Sequence, residues 1–219
     1  MQLEGTSRRL PIYLVIDVSS SMSGAPIEAA NTGLRDLEAA LRADPHALET
    51  AYVSIITFES TAQQIYPLTE AGLFKAPAMA ASGGTALGAA LRKLGECFDK
   101  DLRPKAADHP GDWKPLVFLL TDGEPTDKDW RAEAEQFKKR QTSLPANLIA
   151  VACGPQANVS VLKELTEMVV LMQDIGPESF RKLFQWVSQS VKVASKAAGQ
   201  PAAAGPQLPT PPPGFTIAL

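Results

Sequence analysis

The chain has little of what hydrolytic and nucleotide-dependent active sites are built from. It holds two histidines, His46 and His109, each beside a proline in an expected loop, and no G-x-S-x-G elbow. A Ser-His triad needs a nucleophile, a base and an orienting group, so this composition argues against one. Neither a G-x-G-x-x-G turn nor a P-loop follows the first expected strand, which argues against a nucleotide enzyme. The two cysteines, Cys97 and Cys153, sit in apolar surroundings without C-x-x-C spacing. That is the pattern of buried free thiols rather than of a disulfide or a metal site, and it suits a reducing compartment. No basic patch offsets the net charge of -3. The longest basic cluster, Lys138, Lys139 and Arg140, falls on an expected solvated helix face, so nucleic acid and anionic membranes are not expected partners. No apolar h-region follows the arginines of MQLEGTSRRLP, and no apolar run approaches bilayer length, so a cytoplasmic location is expected. There is no internal repeat.

What is present is ordinary globular material, 45% apolar and 21% charged over 219 residues, enough for a sizeable core. Short apolar runs at 11–17 (PIYLVID), 52–58 (YVSIITF), 116–121 (LVFLLT), 147–153 (NLIAVAC) and 168–174 (MVVLMQD) read as strands buried on both faces. Residues 62–68 (AQQIYPL) contain a proline and read as an antiparallel edge partner of 52–58. Amphipathic helices lie between. Ile27, Ala30, Leu34, Leu37 and Leu41 recur at spacings of three and four, as do Leu87, Leu91, Leu94 and Phe98. Pro26 suits a first helical turn and Asp44-Pro45 closes that helix. Further helices are expected at 128–142, at 160–167 and from Pro177 to about Lys196. The alternation implies a doubly wound, mostly parallel open sheet with one antiparallel edge strand and helices on both faces, over residues 8–196.

Residues 1–7 form an N-terminal segment outside that domain. The last stretch, 197–219 (AAGQPAAAGPQLPTPPPGFTIAL), is rich in Ala, Pro and Gly and reads as a flexible or polyproline-like tail. Its apolar end, FTIAL, is suited to adding a strand to a partner's sheet edge or filling an apolar groove. On this reading, removing residues 206–219 leaves the melting temperature unchanged.

The first strand leaves the core through LVIDVSSSMSG. In an open α/β sheet, ligands sit outside the carboxyl ends of the strands, so this loop is well placed for binding. Asp17, Ser19 and Ser21 follow D-x-S-x-S spacing, which lets a turn aim three oxygens at one point while Val18 faces the core. One carboxylate plus hydroxyls matches a hard divalent cation such as Mg²⁺, which takes oxygen ligands and keeps several waters. Thr85, after Gly83-Gly84, and Asp122, at the end of LVFLLTDG, are expected at the same edge.

This ordered set resembles the metal-ion-dependent adhesion site of von Willebrand factor A domains. The resemblance implies that Ser19, Ser21 and Thr85 reach the ion directly or through water, and that Asp17 and Asp122 assist by direct or water-mediated bonds. The ion implied is Mg²⁺, with Mn²⁺ or Ca²⁺ as alternatives. One coordination position would remain for an acidic side chain of a partner protein. SSSMSGAPIEAANTGL, SGGTALGAAL and LLTDGEPTD, with the proline-rich end, further resemble the bacterial TerY-like subgroup associated with tellurite resistance and stress. That subgroup implies a cytoplasmic scaffold or signalling role beside a Ser/Thr kinase or a metal-dependent protein phosphatase.

The same residues admit plainer roles. Ser, Thr and Asp after strands are ordinary helix caps, and Asp127 is expected to cap the helix containing Trp130, with Glu124 at the rim. Phe180, Leu183, Phe184, Val187 and Val191 read as core packing of the last helix. An enzyme alternative is metal-assisted phosphoryl transfer, since haloacid-dehalogenase-type phosphatases also end their first strand on an aspartate. Those require a second aspartate two positions on and a lysine, whereas position 19 is serine.

Overall fold

The computed structural model describes residues 8–107, 111–197 and 208–218. Buried runs and amphipathic runs alternate as β1 (Leu10–Asp17), α1 (Ala25–Arg42), α2 (Pro45–Thr50), β2 (Ala51–Phe58), β3 (Ala62–Glu70), α3 (Leu87–Asp101), β4 (Leu116–Thr121), α4 (Trp130–Arg140), β5 (Asn147–Cys153), α5 (Val159–Lys163), β6 (Val169–Met172), α6 (Pro177–Ala197) and β7 (Phe215–Ile217). They form one sheet of order β3-β2-β1-β4-β5-β6-β7. The five central strands are parallel, and β3 pairs antiparallel with β2 as its proline suggests.

Every residue of β1 and β4 is buried, because helices cover both faces of the sheet. The period of two is visible in the packing. Leu10, Ile12, Leu14 and Ile16 join a core with α1 and α6, whereas Tyr13 and Val15 join another with α3 and α4. Helices α1 and α6 approach closely at Gly33, where a Cβ would stand 2.1 Å from Phe184 Cδ2. Cys97 and Cys153 are free and buried. Burial pushes the Cys97 thiol up to about 11 and the Cys153 thiol higher still, so both stay protonated at neutral pH.

Three local readings change. Asp44-Pro45 ends α1 but also starts α2, with the Asp44 carboxylate accepting from the Ala47 N–H at 3.0 Å. His46, expected in a loop, is therefore exposed on a short helix that feeds the start of β2; His109 lies outside the described residues. Arg140, expected on a solvated face, instead donates to the Gly95 carbonyl at 3.2 Å and pairs with Asp99, tying α4 to α3.

The fourth change is larger. Residues 208–218, expected in a flexible tail whose apolar end suits strand addition to a partner's sheet edge, add that strand to the domain's own sheet as a second antiparallel edge. In β7, Phe215 pairs with Met172, Thr216 with Leu171 and Ile217 with Val170, and the Ala218 N–H donates to the Val169 carbonyl at 2.9 Å. The Trp186 indole donates to the Pro209 carbonyl at 2.8 Å, Leu208 packs against the core, and Phe215 is buried. Composition points to strand addition by FTIAL but does not reveal that the edge is this chain's own, because the stabilising partners, the open edge of β6 and the Trp186 indole, lie outside the tail.

Candidate functional site

After β1 the chain turns to β2 and β3, then crosses to β4 on the other side of β1. This reversal of strand order opens a crevice at the carboxyl ends of β1 and β4. Ile16 pairs with Leu120, so the next residues, Asp17 and Thr121, also stand side by side. Asp17 is fully buried. One of its oxygens accepts the Ser19 N–H at 2.8 Å and the other accepts the Thr121 hydroxyl at 2.5 Å. Burial pushes its carboxyl above the usual range. The bonds from Ser19 and Thr121 oppose that rise, and the Asp122 charge adds to it.

The loop alternates. Val18 is buried toward the core, and Ser20 is exposed and donates to the Gly83 carbonyl at 2.8 Å. Ser19 and Ser21 turn the other way, with their hydroxyl oxygens 2.9 Å apart. Ser21 then donates to Asp122 Oδ1 at 2.7 Å. Asp17, Ser19, Ser21 and Asp122 thus share one hydrogen-bonded network. Thr85 is buried beside it and donates to none of the four; its hydroxyl lies 3.2 Å from where a Cβ on Gly123 would sit.

Three further residues hold these groups in place, and their roles are not apparent from spacing. Thr121 clamps Asp17. Thr126 clamps Thr85: its hydroxyl accepts the Thr85 N–H at 3.0 Å, and its own N–H donates to the Thr85 carbonyl at 2.8 Å. Asp127 does not cap α4. Its Oδ2 accepts the Gly88 and Ala89 N–H groups at 2.7 and 3.2 Å, capping α3, while Oδ1 is buried without a partner among the described residues. The cause is a close approach at Gly88, where a Cβ would stand 2.8 Å from the Trp130 Cα. The residue ahead of α4, Asp129, makes no side-chain cap. Glu124 is exposed and accepts from Asn158 at 2.8 Å.

Two carboxylates and three hydroxyls form an all-oxygen donor set, the chemistry that suits a hard divalent cation. No group of three or more His, Cys, Asp or Glu suited to a metal occurs among the described residues. Hydroxyls and water would have to complete a shell built on Asp17 and Asp122.

A doubly wound sheet with an oxygen-donor cluster at its switch point defines a class of ligand-binding α/β domains. Within that class, the family model for the von Willebrand factor type A domain matches residues 12–180, and the chain belongs to this family. Solved structures agree in fold. The pilus adhesin SpaC from Lactobacillus rhamnosus GG superposes with a TM-score of 0.64 at 15% identity, covering 84% of this chain and 30% of that one. A von Willebrand factor type A protein from Catenulispora acidiphila gives 0.62 at 18% identity, covering 85% and 43%. Proximal thread matrix protein 1 from the mussel byssus, with a zinc-occupied MIDAS motif, gives 0.58 at 21% identity, covering 87% and 46%. The chain spans less than half the length of each. Among curated protein sequences none matches significantly. No helix among the described residues is long and apolar enough to cross a membrane.

Proposed function

We propose that the domain is a metal-dependent protein-interaction module. In this reading Asp17, Ser19, Ser21, Thr85 and Asp122 hold Mg²⁺, with Mn²⁺ or Ca²⁺ as alternatives, and a partner carboxylate completes the shell. The observation that carries the reading is the single network joining Asp17, Ser19, Ser21 and Asp122 at the switch point, with Thr85 against it. The bound ion would supply a positive centre for the partner's carboxylate. The protein supplies orientation. Asp17 and Ser19 form a buried floor held by Thr121, whereas Ser21 is exposed and Asp122 half-buried, so the partner approaches from that side. Two carboxylates in the donor set favour a cation, and the charged contact gains strength from partial shielding from water.

The domain acts by binding rather than turnover. Asp17 has both oxygens committed to Ser19 and Thr121, and hydroxyls stand where a phosphatase would place a second carboxylate. The resemblance to TerY-like proteins supports a scaffold role in a bacterial stress or phospho-signalling system. Its partner would be a Ser/Thr kinase or a metal-dependent protein phosphatase. Buried free thiols support a cytoplasmic setting.

Water proton relaxation by Mn²⁺ tests the open coordination position. Relaxivity should rise on adding the protein and fall again when a peptide containing a single aspartate displaces a bound water, while p-nitrophenyl phosphate stays intact. An unchanged relaxivity with the peptide in excess, or phosphate ester turnover lost in Asp17→Asn, would contradict the proposal.

A further inference from the structure

Beside the metal loop lies a cavity of about 230 Å³ that the donor cluster does not use. It opens between the β2–β3 hairpin and the 78–82 segment, and it shares Val18 with the metal loop. The partition between the two is tied on both sides: the Ser82 N–H donates to the Val18 carbonyl at 2.8 Å, and Ser20 donates to the Gly83 carbonyl.

Its lining divides into two kinds. Val18, Ile65, Met79 and two alanines provide an apolar wall. Thr57, Thr61, Gln63 and Ser82 bring polar side chains, none of which hydrogen-bonds another described residue through its side chain, and Glu59 is the only charged lining residue. Glu59 Oε2 accepts the Ser60 N–H at 2.8 Å, leaving Oε1 without a hydrogen bond to another described residue. The hydroxyls and the Gln63 amide can donate as well as accept, so the group that selects is the Glu59 carboxylate. An apolar wall leading to it is complementary to an aliphatic stem with a cationic, multiply donating head. Lysine and arginine side chains have that form. A neutral apolar group would leave the Glu59 carboxylate unmatched, and an acidic one would meet it with like charge.

We infer that this cavity is a subsite for a lysine or arginine side chain of the partner segment whose carboxylate reaches the metal. The inference rests on the metal reading for the identity of the segment, but the subsite itself requires no ion. Partner recognition is then two-pronged, with an acidic side chain over Asp17 and Asp122 and a basic one against Glu59. The metal loop's ties to Gly83 and Ser82 fix the spacing between them.

The test uses butylammonium and 1-butanol, which share a stem and differ in the charged head, titrated in chelator and followed by amide shifts of Thr57, Thr61 and Gln63. Butylammonium is expected to bind about tenfold more tightly, the scale of one charge-assisted hydrogen bond. Glu59→Gln keeps an oxygen for the Ser60 N–H and should erase the advantage without changing Mg²⁺ affinity. Equal binding of the two probes, binding of neither, or an advantage that survives in Glu59→Gln overturns the subsite. Because the chelator removes the metal from the measurement, failure here is distinct from failure of the metal site.

Discussion

At the residue scale, Asp17 carries a charge that burial makes unfavourable. Its carboxyl is raised by burial, so the folded state binds a proton at higher pH than the unfolded chain does. The ionised form therefore costs stability, fully above the folded pKa and not at all below the ordinary carboxylate value of about 3.9. In chelator at neutral pH, Asp17→Asn should raise the melting temperature, and the gain should vanish in acid. Equal or lower melting at neutral pH would show that its bonds to Ser19 and Thr121 outweigh burial. Asp127 acts differently, by tying the start of α3 to the loop that bears Asp122. Asp127→Ala should cost about 1 kcal/mol, the usual loss of a helix cap, and weaken Mg²⁺ binding severalfold by freeing Thr85. Asp127→Asn, which can still accept from Gly88, should restore most of both. Loss of stability without loss of Mg²⁺ affinity would make Asp127 a structural cap only.

At the scale of elements, the tail is the feature with most consequence. Phe215 and Leu208 bury apolar surface, and β7 covers the edge of β6 that would otherwise present unpaired backbone groups. Burying one such aromatic ring is worth about 1.5–3 kcal/mol. Removal of residues 206–219 should therefore lower the melting temperature by roughly 5 °C. An unchanged value would return the tail to the flexible role its composition suggests. The contrast marks what the sequence makes legible. The central strands announce themselves because burial on both faces requires unbroken apolar runs, and α1 and α3 because one apolar stripe must face the sheet. Within the site, Asp17, Ser19 and Ser21 are readable from local spacing, and Thr85 and Asp122 from their places after Gly-Gly and at a strand end. Thr121, Thr126 and Asp127 are not, since each acts on a group more than 35 residues away with no period to reveal it. The same holds for β7 and for Arg140.

On the scale of the molecule, the sheet assembles at one end groups drawn from three separate stretches, the β1 loop, the start of α3 and the β4 loop. The opposite end receives α2 and its exposed His46. The chain is a von Willebrand factor type A domain, and we propose that the assembled end holds a cation. Isothermal titration of Mg²⁺ into the metal-stripped protein, with Asp17→Ala alongside, tests the cation site. Saturable heat is expected from the wild-type protein and none from Asp17→Ala, with the circular dichroism of the two alike. Equal heats from both would place the ion elsewhere. Absence of binding in the wild type would reduce Asp17, Ser19, Ser21, Thr85 and Asp122 to a hydrogen-bonded turn.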